Sequence, residues 1–143
     1  MIGSARPRPV SNGMENDKQL KILLIDDDRF LLDMYLLKFK KSGFEIDTSS
    51  STANALEKLR DGNKYDIILL DIIMPNIDGL GLLKIIRTEK LVPDAVIIML
   101  TNQADDLEKA KTFGVDDYII KATMIPSEVV SKVTDVYNAK HKK

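Results

Sequence analysis

Charged and polar residues stand where apolar runs end. Asp26, Asp27 and Asp28 follow the run 22–25, Asp71 follows 67–70, Thr101 follows 95–100 and Lys121 follows 118–120. Carboxylates brought together raise one another's pKa and repel unless a cation sits among them. A ligand set of oxygens, with no His or Cys, selects a hard ion, and Mg2+ suits a site that offers about two or three protein oxygens and leaves room for water. A cation beside a free carboxylate suits phosphoryl transfer: metal and Lys121 neutralise the equatorial oxygens while Asp71 attacks, giving an aspartyl phosphate. Singly, each residue has an ordinary explanation. Asp28 is placed to cap a helix, and a Thr or Lys at a strand end is commonly a solvated terminus. The conjunction at one edge carries the reading.

That conjunction requires a particular scaffold. The apolar runs 22–25, 44–48, 67–70, 95–100 and 118–120 are mostly rich in Ile, Leu and Val without alternation, as strands buried on both faces are. Helical stripes separate them. Leu31, Met34, Tyr35 and Phe39 mark the first, stopped by Gly43; Ala53, Leu56 and Leu59 mark the second, closed by Gly62. Leu80, Leu83 and Ile86 mark a third, and Leu107, Ala110 and Phe113 a fourth, ended by Gly114. Val129, Val130, Val133 and Tyr137 mark a fifth, opened by Pro126. Five strand–helix units in a row predict a doubly wound α/β domain with a parallel sheet. Ligands of such sheets bind beyond the carboxyl ends of the strands, where the residues named above stand. Leu32, Leu36 and Leu37 spread apolar character over more than one face of the first helix, which favours a broadly buried helix over a partner surface.

The bulk properties narrow the function classes. At 143 residues, 44% apolar and 30% charged, the chain has the composition of one globular domain. Lys and Arg number 21 against 22 Asp and Glu, a net charge of −1, so no global field draws it to nucleic acid or an anionic membrane. No apolar run is long enough to span a bilayer. Cysteine is absent, which excludes disulfides and thiolate sites and fits a reducing, cytoplasmic setting. The one histidine, His141, lies near the end, so a histidine phosphate carrier must come from another molecule. Residues 1–19 read as a disordered leader or an added extension, 20–140 as the domain, and 141–143 as a basic tail whose cations offset a helix dipole.

The segments KILLIDDD, YDIILLDIIMPNIDGL, VIIMLT and FGVDDYIIK stand in an order and spacing that resembles the response-regulator receiver domain, the CheY-like phosphoacceptor module of two-component signalling. The resemblance covers roughly residues 20–140 and implies a flavodoxin-like five-stranded sheet of order 2-1-3-4-5. It implies that Asp71 is the phosphorylated aspartate and that Asp27 is a direct Mg2+ ligand, with Asp26 acting through water. The backbone carbonyl of Ile73 is the third protein ligand. Thr101 is the switch hydroxyl, Tyr118 the aromatic that changes rotamer with it, and Lys121 the cation that pairs with the phosphate. Met74, Pro75, Asp78 and Gly79 form the turn after the acceptor. The implied donor is a sensor histidine kinase or phosphotransfer protein. The implied output is a downstream protein bound by the face of the fourth helix, fifth strand and fifth helix, including Lys109. No output domain, nucleic acid or membrane enters this reading, and the state is a monomer or a phosphorylation-dependent dimer. Such a module is a signalling phosphoacceptor with slow autodephosphorylation, not a metabolic enzyme.

Three departures bear on these assignments. Ala122 follows Lys121 where the family favours proline in a cis peptide; cis before Ala costs about 3–4 kcal/mol, so the loop stores strain or runs trans by another path. Asn102 follows Thr101 where a small residue is usual. Ile73 offers an attacking water no hydrogen bond, so the phosphoryl group is expected to persist. Two other readings compete: a phosphorylation-independent pseudo-receiver scaffold, and a haloacid-dehalogenase-like phosphatase using Asp26, Asp27 and Asp28 with Asp116 and Asp117.

Overall fold

A computed structural model describes residues 19–72, 74, 78–101, 107–112 and 114–141. Five parallel strands, β1 (Lys21–Ile25), β2 (Glu45–Ser49), β3 (Ile67–Asp71), β4 (Val96–Thr101) and β5 (Asp117–Ile120), form one sheet in the order β2-β1-β3-β4-β5. The helices between and after them are α1 (Arg29–Lys41), α2 (Thr52–Arg60), α3 (Gly79–Thr88), α4 (Leu107–Thr112) and α5 (Pro126–Lys140). The predicted fold class and strand order are those observed.

Strand periodicity explains why the apolar runs do not alternate. Ile22, Leu24, Ile67, Leu69, Val96, Ile98 and Leu100 join Leu32, Tyr35 and Phe39 of α1 and Val129 and Val133 of α5 in one buried cluster. Leu23, Ile25, Ile68, Leu70, Ile97 and Met99 join Ala55, Leu56 and Leu59 of α2 and Leu82, Leu83 and Ile86 of α3 in another. Each of the central strands β1, β3 and β4 thus feeds both layers, one parity to each. The stripe of α2 differs from the sequence expectation: Thr52 and Ala55 are buried, whereas Ala53 is exposed. A short alanine gave the pattern little weight on either face. Leu37 of α1 is also 58% exposed, so that helix is not buried all round. Phe113 and the side chains of Leu107 and Ala110 lie outside the described residues, as do residues 1–18.

Parallel register then fixes what meets at the carboxyl edge. Ile25 pairs with Leu70, Asp71 with Leu100 and Thr101 with Ile120. The residues just past these pairs are Asp26 beside Asp71, and Lys121 beyond Thr101.

On the β2 side, the Tyr65 hydroxyl donates to Asp47 Oδ2 at 2.7 Å, and Lys58 Nζ donates to Asp47 Oδ1 at 2.9 Å and to the Thr48 carbonyl at 2.8 Å. Burial pushes the Asp47 carboxyl up, but the bonds from Lys58 and Tyr65 outweigh it and hold the group below its ordinary value. A depressed carboxylate stabilises the fold above its unfolded value, and this contribution is lost as pH falls through the lower folded value. The acid limb of a stability–pH curve, below about pH 4, is therefore expected to be shallower in Asp47→Asn than in the wild type. Tyr65→Phe, which removes a donor to a charged acceptor, is expected to cost about 1–2 kcal/mol in urea unfolding at neutral pH.

Candidate functional site

Asp26 extends β1 by one residue, and its backbone amide donates to the Ser49 carbonyl of β2 at 3.1 Å. Its Oδ1 accepts the Asp28 amide at 3.0 Å, which tightens the turn into α1. Asp28 caps that helix, its side chain accepting from the amides of Phe30 and Leu31 at 3.0 and 3.2 Å. Of the three consecutive aspartates, the third is thus engaged by the helix, Asp27 is exposed and Asp26 is buried at the sheet edge.

Asp71 ends β3, buried, with the fully buried Thr101 ending the neighbouring β4. Lys121 follows β5 and reaches back across the edge. Its Nζ lies 3.0 Å from Asp26 Oδ2 and 3.4 Å from Asp71 Oδ2. The side chains of Lys121, Asp26 and Asp71 are only 8%, 1% and 9% exposed. Burial alone would pull the lysine pKa down, but the charges of Asp71 and Asp26 and their hydrogen bonds hold it above its ordinary value. The ammonium therefore stays charged at neutral pH.

The lysine gets there without a cis peptide, since there is none among the described residues. Lys121–Thr123 instead form a single 3-10 turn, in which the Thr123 hydroxyl donates to the Ile120 carbonyl at 2.9 Å. Of the two paths expected for the Lys121–Ala122 link, the trans one is observed. Past the turn, Glu128 reaches back to accept the Ile125 amide at 3.0 Å and opens α5 beside Pro126.

Asp26, Asp27 and Asp71 each present a carboxylate oxygen within 4.8 Å of the others. An all-oxygen, multiply anionic donor set of this size fits a hard divalent cation. Ile73 and Asn102 lie outside the described residues, as does Pro75; Met74 is buried and Asp78 caps α3 through the Gly81 amide at 2.9 Å. Tyr118 on β5 is half-buried and packs against the cluster formed with α2 and α3. Asp116 and Asp117 are engaged elsewhere. Asp116 accepts the Ile97 amide at 2.8 Å and Lys140 Nζ at 3.0 Å, and Asp117 pairs with Lys132 at 3.4 Å. This removes the ligands that the phosphatase reading requires.

Two features of the site were not fully read from the sequence. Lys121 bridges two carboxylates ninety-five and fifty residues distant in the chain, which only strand register can reveal. Tyr35 of α1, read as a core residue, also senses the site. Burial pushes its hydroxyl pKa up, with the Lys121 charge opposing and the Asp26 charge adding to the shift.

Among the described residues no helix is long and apolar enough to cross a membrane. Residues 22–134 match the family described as response regulator receiver domain. The chain is 38% identical over 125 residues to the transcriptional regulatory protein ResD of Bacillus subtilis (strain 168), which covers 84% of this chain and 49% of ResD. It is 33% identical over 115 residues to the alkaline phosphatase synthesis transcriptional regulatory protein PhoP of the same organism, covering 79% of this chain and 46% of PhoP. The chain thus spans about half the length of these curated relatives. Among solved structures, a CheY-like response regulator receiver domain protein from Methanospirillum hungatei JF-1 superposes with a TM-score of 0.78 at 25% identity, covering 87% of this chain and 98% of that one. The sequence motifs, the strand order and the acidic edge bridged by a lysine meet in one conclusion: the chain belongs to the response regulator receiver domain family, the phosphoacceptor module of two-component signalling.

Proposed function

We propose that Asp71 accepts a phosphoryl group from a phosphohistidine on a sensor kinase or phosphotransfer protein. The observation that carries this reading is the Asp26–Lys121–Asp71 bridge beside Asp27. An Asp71 carboxylate oxygen attacks phosphorus, the donor's P–N bond breaks, and the imidazole leaves with the electron pair. Lys121, released from Asp71 as that oxygen becomes esterified, pairs with the new phosphoryl oxygens. Asp27 and Asp71 would hold Mg2+ directly and Asp26 through water, with the Ile73 carbonyl as the further ligand that the family resemblance implies. When bound, the ion supplies charge neutralisation on the transferring group. Thr101 and Tyr118 then relay the change to the face of α4, β5 and α5 by shifting an existing equilibrium.

The receiver occupies residues 20–140 in this reading and works in the cytoplasm, as monomer or phosphorylation-dependent dimer. Output is less narrowly set than the sequence suggested. ResD and PhoP are named transcriptional regulatory proteins, which favours control of transcription over protein binding alone; the expectation of an output without nucleic acid has no support in them.

Incubation with a small acyl phosphate and Mg2+, read by intact mass, tests the proposal. A phosphoryl adduct on the wild type and none on Asp71→Asn is expected. No adduct on a folded wild type favours the scaffold reading, and continuous phosphate release dependent on Asp26 favours a phosphatase.

The donor docks, in this reading, on exposed apolar side chains of α1 and of the segment before α5. Phe30 is 76% exposed, Leu37 58% and Ile125 61%. A cavity of about 350 Å3 lies between Met34, Leu37, Lys38 and Lys41 of α1 and Pro126 and Ser127 of α5. Leu37→Asp is expected to slow phosphorylation by the kinase at least about tenfold while leaving the rate with a small acyl phosphate unchanged; equal slowing of both reactions counts against docking there.

A further inference from the structure

α3 is fastened at both ends. At its start the Gly79 amide donates to the Ile72 carbonyl at 2.8 Å, one residue past Asp71. At its end Arg87 Nη2 donates to the Gly114 carbonyl at 2.5 Å. Gly114 has φ +87 and turns the chain from α4 towards β5, which carries Tyr118. A helix of ten residues, about 15 Å long, therefore connects the acceptor segment to the corner between α4 and β5. The far side of that corner is tied to α5, through Asp116 with Lys140 at 3.0 Å and Asp117 with Lys132 at 3.4 Å. β5 and α5 are thereby joined to each other, and the Arg87 bond crosses from them to α3. A guanidinium on a carbonyl is a charge-assisted bond, stronger than a neutral one.

We propose that Arg87 is a positioning residue, a clasp that holds the corner between α4 and β5 in its unphosphorylated arrangement. The inference rests on the phosphoacceptor reading and adds to it. A contact made in one state and broken in the other biases the equilibrium between them, and by linkage it opposes whatever favours the second state. Loss of the clasp lowers the cost of switching, so the site becomes easier to phosphorylate.

The experiment compares Arg87→Ala, Arg87→Lys and Arg60→Ala with the wild type. Arg60 is a control near the same end of the sheet, paired with Glu89 and, among the described residues, with no bond to the corner. The readouts are the rate of phosphorylation by a small acyl phosphate in Mg2+ and amide hydrogen exchange at residues 114–118. Arg87→Ala is expected to phosphorylate about three- to fivefold faster and to exchange faster at the corner. Arg87→Lys, which keeps a charged donor, stays close to the wild type, and Arg60→Ala changes neither. An unchanged or slower rate in Arg87→Ala overturns the clasp, whatever that variant's stability. If the wild type forms no adduct, the functional reading fails separately, and exchange alone decides: faster exchange in Arg87→Ala than in Arg60→Ala upholds the clasp, and equal exchange overturns it.

Discussion

Lys121→Met is expected to make the stability of the fold depend on divalent cations. In the wild type the ammonium sits 3.0 Å from Asp26 and 3.4 Å from Asp71, with all three side chains buried. Removing one partner of a buried ion pair leaves charge uncompensated in a poorly solvated place, at a cost of about 3–5 kcal/mol. Here the loss strands two carboxylates that also repel each other. Methionine keeps much of the stem's apolar contact, so the effect reads charge more than packing. Urea unfolding without divalent ions should show that loss. Adding Mg2+ in excess should recover much of it, because a ligand bound by the folded state alone stabilises by mass action. The wild type should gain less from the same Mg2+, since its carboxylates already have a cation. A Lys121→Met protein as stable as the wild type, or indifferent to Mg2+, would show that the bridge contributes nothing to the acidic edge.

Gly79→Ala is the second large effect, and it comes from steric contact. A Cβ at residue 79 would stand 2.8 Å from the Ile72 Cα and 2.9 Å from the Asp71 carbonyl carbon, and closer still to the Asp71 carbonyl oxygen. All three are backbone atoms, so no rotamer change can make room; either α3 moves or the acceptor segment does. Overpacking against a rigid neighbour typically costs about 1–3 kcal/mol and occasionally more; with the backbone itself in the way, a loss of about 3 kcal/mol or more is expected. Gly62→Ala separates this from ordinary glycine effects. Gly62 has φ +91, and a methyl group there would meet nothing within 4 Å, so its cost is conformational only, about 1 kcal/mol. Denaturant midpoints of the two variants should differ clearly. Gly79→Ala should also phosphorylate poorly in the fraction that folds, because the displaced backbone is that of Asp71. Equal losses in both variants would mean that the close approach of α3 to the acceptor segment is not needed.

The sheet was legible because its central strands are buried on both faces, which leaves uninterrupted runs such as Ile22, Leu23, Leu24, Ile25 and Ile67, Ile68, Leu69, Leu70. Their terminal acids were legible for the same reason: a carboxylate after such a run, as at Asp26 and Asp71, marks the point where the strand leaves the core. Helix faces were less so. Ala53 and Ala55 are equally small, and only tertiary packing decides that Ala55 turns inward. Leu37 carries the hydrophobic signature of a buried residue yet stands 58% exposed, since pattern does not distinguish a core face from an exposed apolar one. The Lys121 bridge was partly legible. Motif spacing pointed to its lysine, but its partnership with Asp26 depends on how β1, β3, β4 and β5 align. The trans 3-10 turn after β5 could be read only as one of two paths, because sequence shows the missing proline and not the route that replaces it.

The central claim is that Asp71, and no other carboxylate of the acidic edge, carries the phosphoryl group. The direct measurement is to phosphorylate the wild type with a small acyl phosphate and Mg2+, reduce the acyl phosphate with borohydride, and locate the modified residue by peptide mass spectrometry. Modification at Asp71 alone, absent when Mg2+ is withheld, is the predicted result. Modification at Asp26 or Asp27, or none on a folded protein, would contradict it.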